Sequence, residues 1–66
     1  MTEREIWRTA IVLVRNHGSA APARAERRAA EFIEHDDPDN WATWVWIEKA
    51  ARELLRMRPD RGETIN

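Results

Sequence analysis

His35-Asp36-Asp37-Pro38-Asp39-Asn40 decides how this chain folds. The segment closes one helix and opens another. Asp37 is suited to accept the orphan backbone hydrogen bonds at a helix start, and Pro38 to occupy the first helical position. Asp39 then sits at the positive end of the helix dipole. Downstream, Trp44, Ile47, Ala51, Leu54 and Leu55 recur at helical spacing, with Trp41 at the edge of their face. This predicts a long helix over 38–58, stopped at Pro59 because the residue before a proline resists the helical conformation.

Upstream, Ala21, Ala25, Ala29, Phe32 and Ile33 form a stripe made mostly of alanine. It predicts a helix over 20–35 that lets a neighbouring backbone approach closely. Ser19 is the expected cap, and Pro22 fits the first turn. Further back, Thr2 and Glu5 have the spacing of a capping box. Ile6, Trp7, Ala10, Leu13 and Val14 follow on one face, with His17 on the same line, and Arg4, Arg8 and Arg15 opposite. That is a helix over 3–17. Gly18 is placed to end it in a left-handed conformation.

Composition agrees. Ten alanines and many glutamates and arginines favour helix, while tyrosine is absent and valine occurs only three times. The expectation is an all-α fold: a compact three-helix unit with short connections, one domain over 1–58, and a flexible polar tail over 59–66. Within it, Trp44 and Leu54 are expected in the core, with the full large-to-small penalty of about 3–5 kcal/mol for Trp44→Ala.

Sixty-six residues allow one small domain. A chain this size buries only about 60% of the surface its unfolded form exposes, which leaves little room for a deep catalytic cleft. There is no cysteine, so disulfides, thiolate metal sites and cysteine nucleophiles are excluded. Eleven basic and 12 acidic residues give a net charge of −1, which argues against a simple polybasic binder. No stretch nears the roughly 18 apolar residues of a membrane span, and no secretory signal is recognised. The expected location is cytoplasmic.

The acidic loop is the one candidate for a metal site. It lacks the glycine and late glutamate of a calcium loop, and the two histidines stand too far apart for a transition metal. Helix capping accounts for it. Ser19 is the only serine, and Gly18 and Gly62 are isolated rather than part of a phosphate loop. No catalytic residue, cofactor, metal or small-molecule substrate is expected.

Two surfaces remain. Four tryptophans are many for 66 residues. Trp46 does not share the Trp44 face; it falls on a second apolar line with Ala50 and Met57. Val12 offers a similar spot on the first helix. These four residues are the expected interaction face, for a protein partner or a homodimer. The alternative is a small nucleic-acid-binding regulator using Arg24, Arg27, Arg28, Arg52 and Arg56. Interleaved glutamates, such as Glu48 four residues before Arg52, weigh against it.

Trp7, Ala10, His17-Gly18, Ala21 and Ala25-Glu26-Arg27, then Trp44, Ile47, Ala51 and Leu54 after the acidic linker, together resemble a family of short, uncharacterised bacterial helical proteins. The resemblance covers most of the chain. It implies a small helical fold and no known activity or catalytic residues. Trp41, Trp46 and the Asp37-Pro38 cap depart from that pattern.

Overall fold

The computed structural model describes residues 2–57, and within them the chain is all-α. Helix α1 spans Glu3–His17, a 3-10 turn spans Gly18–Ala20, α2 spans Ala21–Glu34 and α3 spans Pro38–Met57. The tail expected over 59–66 and the stop at Pro59 lie outside the described residues.

The capping box at the start of α1 is formed. The Glu5 amide donates to Thr2 Oγ1 at 3.2 Å, and the Thr2 amide donates to Glu5 Oε1 at 3.0 Å. Gly18 ends α1 with φ +57° and ψ −132°, its amide donating to the Val14 carbonyl. The φ is positive as expected, but the ψ lies far from the left-handed helical value. Only glycine visits that region freely. The chain therefore turns sharply without leaving helical bonding.

This turn corrects two expectations. Ser19 does not cap α2. It lies inside the 3-10 turn, and no side chain caps the helix. The reason is that the 3-10 turn runs directly into α2, with the Ala21 amide donating to the Gly18 carbonyl. Pro22, at the second position, has no amide to satisfy. Nor are there three separate antiparallel helices. α1, the 3-10 turn and α2 form one kinked arm, and α3 is the other. Both halves of the kinked arm pack on α3 and touch each other little.

At the far end of α2 the chain closes tightly. The Asp36 amide donates to the Ile33 carbonyl at 3.1 Å, and the Asp37 amide to the Phe32 carbonyl at 2.9 Å. This is the paired bonding of a Schellman ending, with Asp36 at the position that takes φ > 0, here +57°. His35 Nδ1 donates to the Glu31 carbonyl at 2.8 Å. Asp37 then caps α3 as expected: the Asn40 amide donates to Asp37 Oδ1 at 3.3 Å, and Asn40 Nδ2 to Oδ2 at 2.9 Å. Asp36 is the one described non-glycine residue with positive φ. Asp36→Gly relieves a side chain of that conformation and should stabilise the fold by about 0.5–1 kcal/mol. A thermal melt that moves up by a few degrees checks it, and an unchanged or lower midpoint contradicts it.

The core is built on small residues. Ala10, Ala21, Ala25, Ile47, Ala50 and Ala51 form one buried cluster, with Ile6, Trp7, Leu13, Val14, Trp44 and Leu54 packed around it. Ile47 is the only large side chain among the described residues that is fully buried. Trp44 and Leu54 are half-buried, so they line the core rather than fill it. The full penalty expected for Trp44→Ala therefore belongs to Ile47.

Two further residues depart from their expected lines. Ile33 is 53% exposed. Eight residues beyond Ala25, it has drifted about 80° around the helix and off the narrow seam that alanines make. His17 is exposed too. It stands in the last turn of α1, where its ring opens onto a cleft instead of the core.

Candidate interaction surfaces

The first surface is a groove between α1 and α3. It is an open depression of about 480 Å³. Ala50 lies in it, with Ile6 and Trp7 on the α1 side and Trp46 on the α3 side. Ile6 and Trp7 reach the groove because they flank Ala10 on the buried face of α1. Trp46 reaches it from the outside of α3, about 100° around the helix from Ile47. Trp46 is 60% exposed. Lys49 and two carboxylates, Glu3 and Glu53, complete the rim. Lys49 Nζ stands 5.9 Å from the centre of the Trp46 ring, within cation–π range.

The four expected interaction residues do not form one patch. Ala50 is buried, at 6% exposure, because α1 crosses over it. It is the groove's floor rather than part of an exposed face. Met57 is exposed but stands about 16 Å from Trp46 along the helix axis, with Glu53 between them. Val12 is exposed on the back of α1, about 160° from Ala10, and takes no part in the groove. The sequence pattern places Trp7 and Ile6 in the core alone. Their second role depends on where α1 crosses α3, and no single-helix pattern carries that register.

The second surface is a basic cleft of about 280 Å³ between the end of α1 and α2. Arg24, Arg27 and Arg28 meet His17 there, over Leu13 and Trp44. Arg28 has neighbours on two sides. Its guanidinium lies 5.6 Å from the Phe32 ring centre and 5.8 Å from that of Trp44, and Nη1 stands 3.4 Å from Glu31 Oε1.

The other two arginines of the basic set are elsewhere. Arg52 and Arg56 project from α3, each beside a glutamate of its own helix. Arg52 donates to Glu48 Oε2 through Nε at 3.1 Å and Nη2 at 2.7 Å. Arg56 stands 3.8 Å from Glu53. The structure thus gathers Arg24, Arg27 and Arg28 and leaves Arg52 and Arg56 apart.

Among the described residues, no three histidine, aspartate or glutamate side chains gather as a metal site would require. No buried side-chain polar atom there lacks a hydrogen-bond partner. No described helix is long and apolar enough to cross a membrane. No protein-family model matches this chain, and no curated protein or solved structure matches it either. The functional reading therefore rests on these two surfaces.

Proposed function

We propose that the chain is a small non-enzymatic interaction module that works through protein contacts, and that its α1–α3 groove is the contact surface. The observation that carries this reading is Trp46. An indole left 60% in water beside an apolar groove forgoes burial worth roughly 25 cal/mol per Å².

A second copy of the chain suits the Trp46 rim of the groove best, with Met57 of α3, outside the groove, as the complementary residue. Trp46 and Met57, both exposed, stand 11 residues apart on one side of α3, so the helix presents one large apolar side chain toward each end. An antiparallel pair of α3 helices about a two-fold axis sets Trp46 against Met57 of the second copy, at both ends. The same pairing brings Lys49 of one copy near Glu53 of the other, an attraction across the seam. Tryptophan and methionine also pack well on each other, since the thioether is polarizable and flexible.

The nucleic-acid reading draws on fewer groups. Its support is Arg24, Arg27 and Arg28 alone, since Arg52 and Arg56 are set apart and lie close to carboxylates.

Sedimentation at several concentrations tests the proposal. The parent should self-associate as concentration rises. Trp46→Glu should weaken that association by about 30-fold or more, the effect of losing an interface residue worth about 2 kcal/mol. Because Trp46 is exposed, the variant should keep the parent's helical circular dichroism. A parent that stays monomeric at every concentration overturns the second copy as partner, and a Trp46→Glu variant that associates as the parent does overturns the groove as the surface.

A further inference from the structure

The basic cleft concentrates charge that the rest of the chain avoids. The whole chain carries −1, with acidic and basic residues nearly balanced. Yet three arginines and one histidine line a single cleft, where Glu31 is the one carboxylate. That carboxylate already sits beside Arg28. Arg24 and Arg27 form no ion pair among the described residues, and both also line a smaller hollow of about 220 Å³, beside Ala20 and Ala23. Like charges that line one cleft repel, and an anion placed among them would relieve the repulsion.

The way the cleft is built adds to this. Arg24 and Arg28 are four residues apart on α2, so they share a line, and Arg27 adjoins it. The 3-10 turn folds the end of α1 back beside that line, which brings in His17 from a different element. Arg28 is the most constrained of the four. Its guanidinium lies within cation–π range of two aromatic rings and beside Glu31, which narrows the positions it samples before a ligand binds.

We propose that this cleft binds a small phosphorylated molecule through its phosphoryl oxygens. Donors arriving from α1 and from several positions on α2 suit an oxyanion with three acceptor oxygens better than a flat carboxylate. The ligand is small because the cations end at the cleft. A polyanion needs a track of cations along its length, and Arg52 and Arg56 do not extend this one.

The test is a titration of the ¹⁵N-labelled chain with pyrophosphate, followed by backbone and arginine side-chain resonances at low salt. Sodium chloride at matched ionic strength is the first control. Saturable shifts confined to His17, Arg24, Arg27 and Arg28 are expected. Arg24→Gln should weaken binding about tenfold or more, as loss of a charge-assisted hydrogen bond does. Arg52→Gln should leave it unchanged. These arginines are exposed, so both variants should keep the parent's helical spectrum. Shifts that fail to saturate, that spread over all arginines, or that chloride reproduces would overturn the site, as would an Arg24→Gln variant that binds like the parent. A short single-stranded oligonucleotide is the second arm. If it binds more tightly than pyrophosphate, and Arg52→Gln weakens it, the surface is a nucleic-acid track and the small-ligand proposal fails.

Discussion

Ile47→Ala should bring this protein close to unfolding at room temperature. Ile47 is the one large described side chain with no exposed surface, and it sits where α1, α2 and α3 come together. Removing its outer carbons loses their burial and leaves a cavity, and such changes cost about 2–5 kcal/mol. The buried alanines around it cannot close the gap. Ala10, Ala21, Ala25, Ala50 and Ala51 have no side-chain freedom with which to fill it. At roughly 0.05–0.15 kcal/mol per residue, a chain of this length has about 3–10 kcal/mol in total. The loss therefore falls on a large part of the whole. Urea denaturation followed by circular dichroism checks it, with the midpoint falling and the slope unchanged. A midpoint like the parent's would mean that the three helices do not meet at this residue.

That dependence on one isoleucine explains what the sequence could and could not disclose. Three helical segments were legible, because caps and periods are local. Thr2 with Glu5, Gly18, and Asp37 with Pro38 each mark a boundary through bonds to residues a few positions away. What two helices do to each other is not local. Nothing in the α1 pattern says that Trp7 faces Trp46 across a groove, or that α1 covers Ala50. Nothing in Gly18-Ser19-Ala20 says that helical bonding continues through the turn, and the serine pointed to the usual cap. The role of Asp36 is hidden for another reason. Its acidic neighbours suit ligand chemistry and the capping of α3, while its backbone ends α2. For the surfaces, residue types were legible and their grouping was not. Five arginines read as one set, but three share a cleft with a histidine while two stand beside glutamates on α3.

Ala25→Leu is the complementary change, and it should destabilise even though it adds an apolar side chain. Alanine and leucine have nearly the same helix propensity, so the backbone of α2 is indifferent to the exchange. The effect must come from packing. Ala25 has no exposed surface and belongs to the cluster with Ile47 and Ala51 of α3. Helices that meet through alanines approach near the short end of the usual 8–10 Å range. A leucine there has no space, so α2 and α3 must separate or the side chain must leave its preferred rotamers. Such overpacking costs about 1–3 kcal/mol, and this chain should fall at the upper end because both sides of the seam are equally tight. Ala30→Leu supplies the comparison. Ala30 lies on the same helix but is exposed, so its substitution should change stability by no more than about 0.5 kcal/mol. Thermal melts of the two variants beside the parent separate packing from propensity. If both behave alike, or if Ala25→Leu melts higher than the parent, the helices are not in close contact along the alanine seam. The narrow interface that leaves Ile33 and Trp46 in water would then need another cause.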